Sequence, residues 1–392
     1  MTAETVRAFQ VLEAQAQSLM AVFAAAYYES VAPAIIQPAD LFLDVIGEAL
    51  RTRTYVFTDL DGTEQCLRPD LTVPLCRLYL ERHPRADMAA RYSSNGPVFR
   101  FQPAGASAAH PREAHHADIE YFGGSNKEAA DVEVVRLVLA ALRQAGLADF
   151  HLRTGDIGLF DALLRALALP ERWFHRLHAG FWRPGAFRAE LKRLTQPAAA
   201  ALEGVPPELI PSLDLENPAG AEQAVAEYLD ANAIEPMGER TIAEIAAGLC
   251  AAVADARAEP LSPTVAAVCE EYFDISAAAP AAGDRIDALM RRHRIDITSA
   301  LAAYRRRLRL LGEAGIDPAA MDFSAGFGRN FEYYTGFVFE VTAPQLALLS
   351  PVAGGGRYDR LLGTIGAPHD VPAVGAMIHT ERLLSVVRGR AA

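Results

Sequence analysis

The sequence predicts an α+β fold in which a mainly antiparallel sheet is assembled from both ends of the chain around a helical insertion. Three observations carry this expectation. From Tyr55 to Phe122 short β-rich runs alternate with Gly and Pro punctuation, as in Tyr55-Val56-Phe57-Thr58-Asp59 and Pro97-Val98-Phe99-Arg100-Phe101-Gln102. Between about residues 160 and 318 the pattern turns Ala- and Leu-rich and helical, broken by Pro206-Pro207, Pro211, Pro218 and Pro260. Strand character then returns at Met321-Asp322-Phe323-Ser324 and Gly336-Phe337-Val338-Phe339-Glu340-Val341. The expected division is a core of residues 1–158 and 320–392 and a mainly helical insertion of residues 159–319.

The chain opens with apolar residues at helical spacing from Ala8 to Tyr28 and no internal Pro or Gly, which predicts a long amphipathic helix. Ala32-Pro33-Ala34-Ile35-Ile36-Gln37-Pro38 then reads as a short strand. A helix is expected over about Lys127–Ala145, with Asn126 as N-cap and Gly146 closing its C-terminus. Phe150–Asp156 resumes as a strand. The Arg-rich runs Arg291-Arg292-His293-Arg294 and Arg305-Arg306-Arg307-Leu308-Arg309 read as solvated helix faces, and Gly354-Gly355-Gly356, taken alone, as a turn.

A length of 392 residues allows roughly two to three domains at about 150 residues each. The 51% hydrophobic and 22% charged content is that of an ordinary globular protein, and no apolar run reaches the ~18 residues of a membrane span. The N-terminus lacks a basic segment followed by an apolar one, so a cytoplasmic location is expected. Net charge is −12, the wrong sign for a surface that must neutralise many phosphates. Cys66, Cys76, Cys250 and Cys269 have no metal-ligand or disulfide spacing and are expected to be buried thiols, and His110, His115 and His116 lack further ligands at metal spacing. No cofactor is expected.

Four segments carry chemistry. The first is Pro97-Val98-Phe99-Arg100, a variable loop, and Arg112-Glu113-Ala114-His115-His116-Ala117-Asp118-Ile119-Glu120-Tyr121-Phe122-Gly123. Then come Arg329-Asn330-Phe331-Glu332-Tyr333-Tyr334-Thr335-Gly336, Gly354-Gly355-Gly356-Arg357-Tyr358-Asp359, and Gly375-Ala376-Met377-Ile378-His379-Thr380-Glu381-Arg382. In this order, over roughly residues 5–158 and 320–387, they resemble the core of histidyl-type class II aminoacyl-tRNA synthetases. The resemblance implies that the N-terminal helix and strand build a dimer interface. It assigns Arg100, Arg112 and Arg382 to a vestigial ATP site, where a planar cation suits charge developing on phosphorus. It assigns Glu120 and Tyr334 to an imidazole, Asp70 and Thr72 to an α-amino group, Arg329 to a carboxylate, and Tyr358 and His116 to the pocket wall.

The departures from that family are as informative as the matches. Gln102 stands where synthetases carry the Glu that holds adenine, and His379 where a Gly lets the nucleotide approach the backbone. Asp70 replaces a Glu and His116 a Gln. The sequence ends ten residues after Arg382, where a synthetase would continue into its anticodon-binding domain. Within the histidyl-type group this combination resembles the regulatory subunit of ATP phosphoribosyltransferase. That resemblance implies no bond chemistry by this chain. It implies as partners a second copy and a short-form catalytic subunit, which condenses ATP with phosphoribosyl pyrophosphate in the first step of histidine biosynthesis, with histidine as effector and neither tRNA nor membrane. The intact Arg100, Arg112 and Arg382 keep open a stand-alone histidine-adenylating ligase, and a histidine-sensing module for another partner is the third reading.

Overall fold

The computed structural model describes residues 6–43, 45, 48–106, 110–181, 183–196, 202, 204–234, 241–328, 333–346 and 350–389. Twelve strands form among them: β1 (Glu29–Ser30), β2 (Ile36–Pro38), β3 (Tyr55–Thr58), β4 (Glu64–Leu67), β5 (Ala90–Phe99), β6 (Glu113–Phe122), β7 (His151–Asp156), β8 (Ser276–Ala278), β9 (Met321–Ser324), β10 (Phe337–Thr342), β11 (Ala353–Arg357) and β12 (Ala373–His379). Nine of them make one sheet in the order β1-β5-β6-β12-β11-β10-β7-β9-β8, and β2-β4-β3 make a second. Only β1 with β5 and β7 with β9 run parallel; every other pairing is antiparallel.

The sheet is centred on β6, β12, β11 and β10, which come from opposite ends of the chain and pair in register. Such non-local pairing follows from sequence at both ends with strand periodicity and a helical stretch between. The first helix, Val6–Ala25, packs on the helix Lys127–Gln144 and on β5 and β6. Asn126 caps the second of these, its Oδ1 accepting from Ala129 N at 3.2 Å, and Gly146 closes it with φ +99°, a conformation that favours Gly.

The chain divides into two compact units, one of Met1–Ala166 with Tyr272–Ala392 and one of Leu167–Glu271. The second unit is narrower than the 159–319 insertion expected from helical pattern. Helices Ala279–His293 and Thr298–Glu313 belong to the first unit, because one face of the latter, with Leu301, Tyr304 and Leu311, is buried in it. The second unit has its own core of Val205, Leu209, Leu213, Ala221, Val225, Ala246, Cys250 and Val253. There Arg172 Nε and Trp173 Nε1 donate to Asp255 Oδ1 at 2.6 and 2.7 Å, and Arg176 donates to its Oδ2. These donors outweigh the cost of burial and hold that carboxyl down at about 2.

Two readings of the sequence are corrected here. Arg307 is not on a solvated face: it is buried, donating to Asp131 Oδ2 and Asp156 Oδ2, both at 2.7 Å. Arg357 closes the network from β11, donating to Asp131 Oδ1 at 2.6 Å. The glycines Gly354–Gly356 form no turn; they lie inside β11, fully paired on both sides. A Cβ on Gly355 would stand 2.6 Å from Ala376 Cα, and one on Gly356 would stand 2.6 Å from Phe337 O. Glycine is needed there by close approach of the neighbouring backbones rather than by chain reversal. All four cysteines are buried. Among the described residues no helix is long and apolar enough to cross a membrane.

Candidate functional site

Successive strand residues face opposite ways, so His116, Asp118 and Glu120 share one face of β6 while Ala117 and Ile119 enter the core on the other. Antiparallel register sets His379, Met377 and Gly375 of β12 opposite them. The ring of His379 meets that of His116 edge-on, centroids 4.6 Å apart. This face forms the floor of a pocket with about 330 Å³ of space between its walls and mouth.

Of the residues expected to bind histidine, Asp70, Thr72, His116, Tyr334 and Tyr358 line this pocket, and Arg100 of the expected ATP set lines it too. Arg329 lies outside the described residues. Asp70 and Thr72 arrive at the start of the helix Thr72–Arg82, where Asp70 Oδ1 accepts from Val73 N at 3.2 Å. Tyr333, Tyr334 and Tyr358 pack as a group with ring centroids 4.9 to 6.5 Å apart.

Glu120 sits behind this lining. Thr72 Oγ1 donates to its Oε1 at 2.7 Å, and the Tyr358 hydroxyl donates to its Oε2. Gly375 lies directly against it, since a Cβ there would fall on Glu120 Oε2. Burial pushes the Glu120 carboxyl up to about 8 despite the two donors, with the charge of Asp70 adding to the rise. Burial also pushes Asp70 up to about 6, against the pull of the Val73 N–H and of Arg100 and Arg68. Asp118 is driven well above the usual carboxylate range by burial and then by Glu120 and Asp70.

The remaining members of the expected ATP set are placed apart from this lining. Arg112 is exposed, its guanidinium over the ring of Phe101 at 5.6 Å, and Arg382 donates to Pro351 O at 3.0 Å. Gln102 accepts from Arg53 at 2.6 Å and donates to Pro111 O at 2.9 Å, so both ends of its amide are engaged. Arg100 Nε donates to Pro69 O at 2.8 Å.

Asp118, Tyr333 and Met377 were not assigned from sequence, yet they line the pocket. The signal for Asp118 was present: it stands midway between His116 and Glu120 in a strand, and period-2 alternation places all three on one face.

The histidyl-tRNA synthetase family profile matches residues 6–254 and 243–383. ATP phosphoribosyltransferase regulatory subunits of Chelativorans sp., Brucella anthropi and Agrobacterium fabrum are 34%, 33% and 34% identical to this chain. The matches cover 90%, 90% and 95% of it and 92%, 92% and 96% of the relatives. An ATP phosphoribosyltransferase regulatory subunit/histidyl-tRNA synthetase from Bacillus halodurans superposes with a TM-score of 0.68 at 18% identity, covering 99% of this chain and 82% of that one. A histidine–tRNA ligase subunit from Alicyclobacillus acidocaldarius superposes with 0.60 at 22%, covering 99% and 96%. The structural likenesses establish the fold: a class II core of the histidyl-tRNA synthetase type, with a mostly antiparallel sheet. The sequence relatives narrow that class, and the chain belongs to the ATP phosphoribosyltransferase regulatory subunit family.

Proposed function

We propose that this chain is a non-catalytic subunit that assembles, as a homodimer, with the short-form ATP phosphoribosyltransferase catalytic subunit, activates it, and takes part in histidine feedback control of the first step of histidine biosynthesis. Identity of about a third to regulatory subunits over nine-tenths of the chain is the observation that supports it. The pocket supports the effector half of the reading. Asp70 and Thr72 offer acceptors suited to an α-amino group, Tyr334, Tyr358 and His116 line the same pocket with Glu120 behind them, and Arg329 is expected at the carboxylate.

In this reading the chain contributes coupling free energy. Assembly favours the active state of the partner and histidine favours an inhibited one, typically by about 1–3 kcal/mol in such linkages. A ligand does this only by binding the two states unequally. Arg100, which lines the pocket, favours the second reading, a histidine-adenylating ligase.

Mixing the purified chain with a short-form catalytic subunit tests assembly by size-exclusion chromatography with light scattering. A co-eluting hetero-oligomer is expected, with phosphoribosyl transfer raised by this chain and lowered by histidine. Two unshifted peaks at micromolar concentration would remove the partner claim.

A further inference from the structure

Two tyrosines of the pocket wall are joined, through the residues next to them in the chain, by a polar clasp. Tyr334 and Tyr358 lie on separate segments, one leading into β10 and one leaving β11, with ring centroids 6.5 Å apart. Thr335 ties these segments together on both sides of Tyr358. Its N–H donates to Arg357 O at 2.8 Å, and its Oγ1 accepts from Asp359 N at 3.0 Å. Tyr358 is fixed a second time by its hydroxyl on Glu120, so Thr335 acts chiefly on Tyr334.

Asp359 is where the clasp is fastened. Its Oδ1 accepts from Arg357 Nη1 at 2.8 Å and from Ala373 N at 3.0 Å, and its Oδ2 accepts from Lys127 Nζ at 2.6 Å. One carboxylate therefore joins the end of β11, the start of β12 and the first residue of the helix Lys127–Gln144. Burial alone would raise this carboxyl, but Arg357, Lys127 and the Ala373 N–H hold it below the ordinary carboxylate range. It is ionised at neutral pH, which makes its bonds to the two cations charge-assisted. The Lys127 side chain is 49% exposed and that of Asp359 16%, so the fastening cation stands at the surface while the bonds it supports run inward.

We propose that Thr335 and Asp359 are positioning residues that fix the placement of Tyr334 against Tyr358, with Lys127 fastening Asp359, so that affinity for histidine depends on three residues outside the pocket lining. This deepens the histidine-pocket reading and rests on it. The physical reason is preorganisation. Side chains already ordered before the ligand arrives lose little entropy on binding, and loosening the backbone beneath one of them restores that cost.

Calorimetric titration with histidine, of the chain alone and in complex with the catalytic subunit, tests this alongside amide hydrogen exchange of the unliganded chain. Thr335→Val keeps the shape of the side chain and removes the acceptor for Asp359 N. It is expected to weaken histidine about three- to tenfold, and to lose exchange protection in the segments around Thr335 and Asp359 while β5 and β6 keep theirs. Thr335→Ser, which retains the hydroxyl, is expected to restore both. Lys127→Met, a change at the surface, is expected to move both readouts in the same direction as Thr335→Val. Undiminished binding by Thr335→Val and Lys127→Met would overturn the proposal. So would weakened binding with protection lost evenly across the sheet and not restored by serine, the mark of a merely destabilised fold. Wild-type protein that binds no histidine in either form would instead overturn the occupied-pocket reading itself, and this proposal with it.

Discussion

Glu120 shows how burial can outweigh two good donors. The Thr72 and Tyr358 hydroxyls favour its ionised form, yet desolvation is the larger effect and the carboxyl rises from its ordinary 4.5 to about 8. Its folded-state value is above its unfolded one, so between the two the folded chain binds more protons and stability falls as pH rises. Asp70 acts with the same sign, from 3.8 to about 6. Asp255 acts oppositely, but its held-down carboxyl matters only below about pH 4, outside that window. The melting temperature of the wild type is therefore expected to decline between about pH 5 and 8, and that of Glu120→Gln to decline less, because the Gln has no proton to lose. Thermal melts of both across that range check this. Parallel curves would show that Glu120 does not titrate there. The same residue was legible in sequence only by likeness to a family, since nothing in a strand's alternation tells that a hydroxyl from residue 358 and another from residue 72 will close on one carboxylate.

Elements were legible where period and caps were local. The helix Lys127–Gln144 with its Asn126 cap and the strands β7, β9 and β10 lie where spacing and punctuation put them. The glycines of β11 were read as a turn because sequence carries no sign of which strands will flank them, and it is the flanking backbones of β10 and β12 that require glycine. Arg307 was misplaced for the same reason: its partners stand at Asp131 in a distant helix and Asp156 in β7. Those long-range bonds make the network consequential. Arg307→Met leaves Asp156 Oδ2 without its guanidinium, and removing one partner of a buried ion pair costs about 3–5 kcal/mol. Arg305 is two residues away on the same helix, its side chain 47% exposed, and it pairs with Asp284 and Asp287 at the surface. Chemical denaturation is expected to show a large loss of stability for Arg307→Met and an unchanged midpoint for Arg305→Met. Equal effects would mean that the buried network contributes no more than a surface pair.

At the scale of the whole molecule, the chain has the fold of a histidyl-type class II core, while the residues around the expected ATP set depart from that family's pattern. A net charge of −12 is the wrong sign for general affinity to a phosphate backbone. Gln102, at the position from which a synthetase would hold adenine, is engaged at both ends by Arg53 and Pro111. The His379 ring packs edge-on against His116, at the position where the resemblance implies a glycine, and the Arg112 guanidinium lies over the exposed ring of Phe101. Arg100 alone of the expected ATP residues lines the pocket. Adenylate formation needs several groups held together around a developing charge, and one guanidinium supplies only part of that stabilisation. The purified chain is therefore expected to give no histidine-dependent exchange of pyrophosphate into ATP above a blank, with or without the catalytic subunit. Exchange well above the blank that disappears in Arg100→Ala would reverse this and make the chain a ligase. Exchange that survives Arg100→Ala would point to a contaminating synthetase, which a second purification would remove. Binding of histidine without exchange is the outcome that fits a pocket reassigned from chemistry to control.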